Sequence, residues 1–266
     1  MRALWIYAIA YLVFLYLPIV LLPLFAFNDS TIIAFPLKGF TTQWFRELGE
    51  VEALHAALRH SLFIATVTAS ISTLLGMMAA RASQIAFPWR GPILGLLMLP
   101  LVLPEIIVAV SLLVVAVQVL GLPPSSWTVI AAHVLICTPF CIAILNGAFA
   151  GLDPNLEEAA QDLGETRLGA FAKVTLPLIS PGLLASFLIA FTISLDEFII
   201  AFFLTGNTPT LPVYIWGLLR FPARLPVVMA LGTILVVVSI LLLSVAEIAR
   251  RRAARRSGQS DSGGFL

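Results

Sequence analysis

The sequence contains little charge, and this scarcity narrows the class of protein. Of 266 residues only 11% are charged, whereas 60% are hydrophobic, and the mean hydropathy is +1.04. Soluble domains carry about a quarter charged residues, and a chain of this length could not hide so much apolar surface in its own core. The net charge of +1 provides no basic face for nucleic acid. We therefore expect a membrane protein whose apolar surface meets the lipid bilayer.

Residues that carry redox, metal or nucleophilic chemistry are also scarce. Cys137 and Cys141 lie four residues apart in an apolar run, where helical geometry orients them poorly for a disulfide, and we interpret them as small packing residues. His55, His60 and His133 are scattered and form no zinc pattern. The sequence has no P-loop, G-x-S-x-G or H-E-x-x-H motif, which excludes a P-loop nucleotide site and gives no support to an intramembrane enzyme.

Long apolar stretches dominate what is present. About twenty apolar residues span a bilayer as a helix, and six stretches reach this length. No small-residue cleavage pattern follows the first stretch, so we interpret it as a retained signal anchor. The predicted fold is an all-α membrane protein whose transmembrane domain, 1–249, precedes a basic, disordered tail at 250–266. The predicted spans are 4–27, 58–80, 93–119, 127–149, 178–204 and 227–249.

The positions of lysine and arginine predict that both termini are cytoplasmic. Six spans place the termini on one side, and that side then holds ten of the 15 lysines and arginines, as the positive-inside rule requires of the cytoplasm. The arginine cluster at 250–256 dominates this count and would anchor the C-terminus at the anionic leaflet. On this topology 28–57 and 205–226 lie outside, and 151–177 forms a long cytoplasmic segment.

The segment 151–177 is too polar for lipid, yet its pattern is that of a helix. Asp153 is placed as its N-cap with Pro154 at the first helical position. Gly164 is placed as the glycine that ends it. Acids project from the other faces, at Glu157, Glu158 and Asp162. Apolar residues recur at i, i+3, i+4 and i+7, and these are Leu156, Ala159, Ala160 and Leu163.

A second short helix is predicted to follow at 167–174, with Thr166 at its start and Pro177 marking the beginning of the fifth span. Any membrane protein can rest an amphipathic loop helix on lipid headgroups. Such helices carry lysine and arginine on their polar face, whereas this one carries acids. The composition therefore favours docking of the segment on another protein.

The spacing within this segment is that of a known motif. E-A-A at 158–160, three residues, Gly164, nine residues and V-T-L-P at 174–177 resemble the E-A-A loop of permease subunits in binding-protein-dependent ABC importers. The family pattern ends in I-x-L-P, and Val174 replaces the isoleucine conservatively. The resemblance implies a type I ABC importer permease fold in a bacterial inner membrane, with 151–177 as a coupling segment that sits in a cleft of the ATP-hydrolysing subunit. The residues implied in coupling are Leu156, Glu158, Ala159, Ala160, Leu163 and Gly164.

Three further stretches resemble the spermidine/putrescine permeases in particular, namely GFTTQWF at 39–45, PEII at 104–107 and SLDEF at 194–198. The resemblance implies a small cationic solute, with a polyamine as the leading candidate. It also implies two ATP-binding subunits, which bind ATP and Mg²⁺ so that this chain needs no cofactor, a second homologous permease and an extracytoplasmic substrate-binding protein. Trp44 and Phe45 could contact that protein, although an interfacial aromatic anchor is the favoured interpretation.

Other interpretations stay open at this point. Relatives of the polyamine group carry other small charged solutes, so an amino acid or an opine-like compound is the alternative substrate. A secondary transporter or ion channel is the rival from another class, since it would also bury acids in its spans. Such a protein would have no use for a docking segment with E-A-A spacing, and the ABC permease is therefore favoured.

Three acids inside predicted spans are candidates for the substrate path. Each costs about 2.5–3.5 kcal/mol at a helix centre on insertion scales, and no lysine or arginine lies deep in a span to pair with them, so an external cation is an attractive partner. Glu105 follows a proline and could instead sit at the positive end of a half-helix. Asp196 shares a polar helical face with Thr192 and is the favoured path residue. Glu197 shares its face with Ile193 and Ala201, and it could equally point at the partner permease or be protonated by burial.

Overall fold

The computed structural model describes the backbone of residues 2–85, 87–153 and 155–256. Regular structure in this part of the chain is helical, apart from one bridge between Asn28 and Phe40, which confirms the all-α prediction. Five helices are long and apolar enough to cross a membrane, and a sixth span results if one bent pair counts as a single span. The helices are α1 (Arg2–Ala26), α2 (Gln43–Glu50), α3 (Glu52–Ser83), α4 (Arg90–Met98), α5 (Glu105–Val114), α6 (Ser126–Ala150), α7 (Asn155–Asp162), α8 (Arg167–Ala170), α9 (Leu176–Asp196), α10 (Ile199–Leu204), α11 (Leu211–Leu218) and α12 (Leu225–Arg256).

Four predicted spans are single helices close to the expected bounds, namely α1, α3, α6 and α12. Prolines within two of them, Pro18 and Pro23 in α1 and Pro139 in α6, do not end the helix, as is common in membrane helices. Helix α12 continues through Arg256, so 250–256, predicted to begin a disordered tail, is helical. The rest of that tail, 257–266, lies outside the described residues.

The third and fifth predicted spans are interrupted, which corrects the continuous helices expected at 93–119 and 178–204. In the third, a 3-10 turn at Leu99–Leu101 follows α4, and the chain bends by 100° before α5. Pro104 stands at the N-cap of α5 with a ψ of 128°, and it has no N–H with which to continue the preceding helix. In the fifth, Glu197 has a ψ of 119°, which separates α9 from α10. The second halves of the two spans, α5 and α10, pack against each other.

The chain forms two compact units, one of Met1–Glu52 with Ile215–Leu266 and the other of Ala53–Tyr214. In the first unit α1 and α2 pack against α12. Trp44 of α2 is buried and donates its indole N–H to the carbonyl of Asn28 at 2.9 Å. Trp44 therefore packs inside its own unit, where it serves neither as an interfacial anchor nor as a contact for a soluble protein.

In the second unit α6 runs antiparallel to α9 in a regular register. Cys137 and Cys141 are free and fully buried against α9, which confirms their interpretation as packing residues. At Gly182 an added Cβ would come within 2.7 Å of the Cβ of Ala148, so a small residue permits the close approach that is typical of membrane helices. The facing pairs, one helical turn apart, are His133 with Ser194, Cys137 with Ala190 and Cys141 with Ser186.

Candidate functional site

The helix-turn-helix predicted at 151–177 is present, with one correction. Oδ1 of Asp153 accepts a hydrogen bond from the backbone N–H of Asn155 at 3.0 Å, so this carboxylate lies at the start of α7. Pro154, expected at the first helical position, lies outside the described residues. The second short helix does not end before Pro177, because α8 continues through a π turn into α9 as one helix, Arg167–Asp196. This π turn, Phe171–Thr175, widens the hydrogen-bond spacing two residues before Pro177, which lacks an N–H.

Helix α7 ends at the predicted glycine. Gly164 has a φ of +94°, and its N–H bonds to the carbonyl of Gln161 at 2.9 Å. The N–H of Glu165 bonds to the carbonyl of Ala160 at 3.1 Å, which completes the paired bonds of a Schellman end. A Cβ is disfavoured at positive φ, so the direction in which the chain leaves α7 depends on this glycine.

Glu157 joins α7 to the spans beside it. Its carboxylate accepts hydrogen bonds from the guanidinium of Arg81, in the last turn of α3, and from the hydroxyl of Thr175, just before α9. The guanidinium also lies over the Phe171 ring, 5.9 Å from its centroid. Local spacing predicts only that Glu157 lies on a polar face. Its two partners are 76 and 18 residues away in the sequence, so a local pattern cannot reveal them.

Two leucines of the segment are left uncovered by the described part of the chain. Leu163 of α7 is 88% exposed and Leu168 of α8 is 81% exposed. The side chain of Leu156 is partly exposed and also lines a cavity of about 330 Å³, together with Arg81 and Thr175. Leucines this exposed, outside the predicted spans, favour an interaction surface. The other predicted coupling residues are exposed or half-buried, and they are Glu158, Ala159, Ala160 and Gly164.

The candidate path acids Glu105 and Asp196 both lie at helix ends. Glu105 is the first residue of α5 and Asp196 is the last of α9, and both side chains are exposed. Thr192, predicted to share a face with Asp196, is exposed as well. Within the described part of the chain, no salt bridge or hydrogen bond reaches either carboxylate. Each acid thus stands at the end of a helix without a counter-charge among the described residues.

Glu197 is different, since its side chain is only 5% exposed. Its carboxylate accepts hydrogen bonds from the backbone N–H groups of Ile200 and Ala201, both at 3.0 Å. The predicted helical face shared with Ala201 is wrong, because the helix is interrupted at Glu197 and the carboxylate caps α10 from its N-terminal end. Glu197 is therefore satisfied inside this chain, unlike the other two acids.

His133 is a functional candidate that the sequence analysis missed. It is fully buried in α6, its Nδ1 lies 2.8 Å from Oγ of Ser194, and its Nε2 lies 3.3 Å from Oε2 of Glu197. The scattered positions of the three histidines form no zinc pattern and indicate no other role by spacing alone. A lone histidine in the middle of an apolar stretch was the signal, because ionisable residues inside membrane spans are costly and are retained for a reason.

A comparison with known families decides the class of protein. The profile of the family described as binding-protein-dependent transport system inner membrane component matches residues 72–256. The match contains the coupling segment, both interrupted spans and all three acids. The chain belongs to this family of ABC importer permeases.

Curated relatives of the permease include polyamine transport proteins. It is 32% identical over 248 residues to the spermidine/putrescine transport system permease protein PotC of Shigella flexneri, covering 92% of both chains. It is 34% identical over 230 residues to the putrescine transport system permease protein PotI of Escherichia coli (strain K12), covering 84% of this chain and 81% of PotI. These similarities confirm the resemblance to the polyamine group.

The fold of the permease is that of a solved importer. A chain of a bacterial alginate ABC transporter, crystallised in complex with an alginate pentasaccharide-bound periplasmic protein, superposes with a TM-score of 0.73 at 22% identity. The superposition covers 95% of this chain and 93% of that chain. The ABC importer permease fold implied by the E-A-A spacing is thereby confirmed for a multi-pass membrane permease.

Proposed function

We propose that this permease forms half of the translocation path for a small cationic solute of the polyamine class, and that it couples solute movement to ATP hydrolysis by a separate subunit. The other half of the path comes from a second, homologous permease. Two ATP-binding subunits bind the nucleotide with Mg²⁺, and an extracytoplasmic binding protein delivers the solute. Similarity to PotC and PotI over most of the chain supports the solute class, and the periplasmic protein bound to the alginate transporter supports the last partner.

The uncovered leucines of the coupling segment are the observation on which the coupling proposal rests. Docking in a cleft of the ATPase subunit would remove Leu163 and Leu168 from water, at about 25 cal/mol for each Å² of apolar surface buried. Glu157, on the same short helix, bonds to Arg81 of α3 and to Thr175 before α9. A displacement of α7 by the ATPase would therefore reach two spanning helices through one carboxylate.

The proposal places both termini and 151–177 in the cytoplasm, with 28–57 and 205–226 outside. Single cysteines replacing the exposed residues Asp162 and Asn207, in a background lacking Cys137 and Cys141, test this topology with a membrane-impermeant thiol reagent. We expect Asn207→Cys to react in intact cells and Asp162→Cys to react only after permeabilisation. Reaction of Asp162→Cys in intact cells would overturn the assigned orientation.

The cation path is proposed at the two interrupted spans. Asp196 is exposed, unpaired in the described chain and placed at the C-terminal end of α9, where the helix dipole adds negative potential. Glu105 stands at an N-terminal end, where the dipole offsets part of its charge. Asp196 is accordingly the stronger site for an ammonium group, and Glu105 is the second contact for a solute that carries more than one.

The substitution Asp196→Asn tests the cation path, because it keeps the shape and removes the charge. Charged hydrogen bonds contribute about 1.5–3 kcal/mol, so we expect uptake of labelled spermidine or putrescine to fall by roughly tenfold to a hundredfold in cells without another polyamine importer. Assembly and basal ATP hydrolysis should persist, and Glu105→Gln should act in the same direction. The matched control is Glu50→Gln, which removes the charge of an exposed acid outside both the spans and the coupling segment.

Two results would contradict the cation path. One is uptake at the native rate by Asp196→Asn. The other is a native complex that moves only neutral or anionic solutes, including amino acids or opine-like compounds. Either result would leave the permease assignment in place.

A further inference from the structure

A single imidazole contacts both sides of the break between α9 and α10. Nδ1 of His133 lies 2.8 Å from Oγ of Ser194, in the last turn of α9, and Nε2 lies 3.3 Å from Oε2 of Glu197, just after the break. Helix α6, which carries the ring, is continuous at this point. Helix α6 therefore contacts the chain on both sides of the break through the side chain of His133.

The break needs such support because it lies in an apolar region. A helix end leaves backbone N–H groups without partners, and lipid cannot supply them. The Glu197 carboxylate satisfies two of these groups in α10. A carboxylate with 5% side-chain exposure itself needs a partner, and the His133 ring is the side chain that approaches it.

The hydrogen-bonding chemistry of Glu197 and His133 indicates which ring nitrogen carries the hydrogen. An ionised carboxylate only accepts hydrogen bonds, so the hydrogen that faces Glu197 is carried by Nε2. In the neutral ring Nδ1 then accepts the Ser194 hydroxyl hydrogen. The 2.8 Å contact to Ser194 is a normal hydrogen bond, whereas the 3.3 Å contact to Glu197 is long and outside normal hydrogen-bond alignment. The ring is thus held firmly to α9 and more loosely to the residue after the break.

Asp196 lies between the two residues that the ring contacts. Ser194 precedes it by two positions and Glu197 follows it directly, and both are buried while Asp196 is exposed. We propose that His133 is a positioning residue for Asp196: by fixing Ser194 and Glu197 on the buried side, it directs the Asp196 carboxylate toward the solute. This inference rests on the proposed cation path and deepens it.

The test is a pair of substitutions measured in two backgrounds. His133→Gln retains hydrogen-bonding groups but cannot reach both partners, and we expect uptake at saturating solute to fall about fivefold, the effect of roughly one lost hydrogen bond. In an Asp196→Asn background the same substitution should cause almost no further loss, because the group that it positions is gone. The ratio of spermidine to putrescine uptake should also change with His133→Gln, since misdirecting one carboxylate affects solutes with different numbers of ammonium groups unequally.

Ser194→Ala provides a milder version of the test if His133→Gln does not accumulate in the membrane. It removes only a hydroxyl, and Ala190 already occupies the equivalent position one turn earlier. We expect a smaller loss in the same direction, again absent in the Asp196→Asn background. The amount of assembled complex, measured by copurification of the ATPase subunit, should stay at the native level.

The outcomes separate the inference from the cation path. Equal losses in both backgrounds, an unchanged solute ratio or native uptake by both variants would overturn the positioning role while leaving the path at Asp196 intact. Native uptake by Asp196→Asn alone would overturn the path, and the inference would fail with it. A loss confined to the background that contains Asp196, with a changed solute ratio, supports both.

Discussion

The break before Glu105 and the break at Glu197 differ in what holds them. At the first, Pro104 lacks the N–H that would continue the preceding helix, and the acid that follows is exposed. At the second, no proline or glycine occurs between α9 and α10. The interruption is held by side chains instead, with Glu197 capping α10 and His133 approaching from α6.

The comparison shows that acids inside spans are not one kind of residue. Asp196 and Glu197 are adjacent, yet the first is exposed without a partner in the described chain and the second is buried with backbone and imidazole partners. An acid that replaces missing backbone contacts supports the fold, whereas an acid without contacts remains available to a solute. Three predictions test what holds each interruption of a helix, in order of expected effect.

The largest effect is expected for Glu197→Leu. This change removes both caps of α10 and leaves His133 buried without its carboxylate, and breaking a buried pair of this kind costs about 3–5 kcal/mol. We expect the purified complex to unfold at a markedly lower temperature, with less complex in the membrane. Asp196→Leu, one residue away, is the matched control and should leave unfolding unchanged. Equal destabilisation by the two variants would remove the distinction between the acids.

A smaller effect is expected at the end of α7, where the chain reverses direction at a glycine with a positive φ. Gly164→Ala places a Cβ at a φ of +94° with no atom within 4 Å of it, so its cost of about 1–2 kcal/mol is purely conformational. The altered exit from α7 should lower the uptake achieved for each ATP hydrolysed and weaken copurification of the ATPase subunit. Gly151→Ala is the control, because Gly151 has a φ of −81° and an added Cβ would meet its nearest atom at 3.7 Å. Native coupling in Gly164→Ala would count against the docking role of α7.

The smallest effect is expected for Pro104→Ala. Alanine can adopt the φ of −59° and ψ of 128° found there, and the carbonyl of residue 104 would keep its bonds from the N–H groups of Ile107 and Val108. We expect thermal unfolding of the complex to change by less than about 1 kcal/mol in stability. A loss as large as that of Glu197→Leu would indicate that the first break depends on its proline as strongly as the second depends on its carboxylate.

Local features of the structure could be predicted from the sequence, and long-range ones could not. Asp153, Gly164 and the apolar stripe of α7 follow from residues within one or two turns, and the possibility that Glu105 begins a half-helix followed from the preceding proline. The second break was not predicted, because the Glu197 side chain that caps α10 is accompanied by His133, which lies about sixty residues earlier, in α6. The anchoring of Glu157 by Arg81 was hidden for the same reason. Residues that come into contact only when helices pack produce no periodic pattern in the sequence.

The register of α6 against α9 gives His133 one more consequence. The three α9 residues that face α6 at successive turns are Ser186, Ala190 and Ser194, which are similar in size, so at these turns steric fit hardly distinguishes the native alignment from one displaced by a turn, or about 6 Å. Farther along the same pair of helices, Gly182 opposes such a displacement, because a larger residue in its place would collide with Ala148. A displaced alignment would set the imidazole against Ala190, whose methyl group offers no hydrogen bond in an apolar interior. The depth at which α9 comes to rest along its neighbour is thus encoded by a glycine at one end of the contact and by one ring at the other.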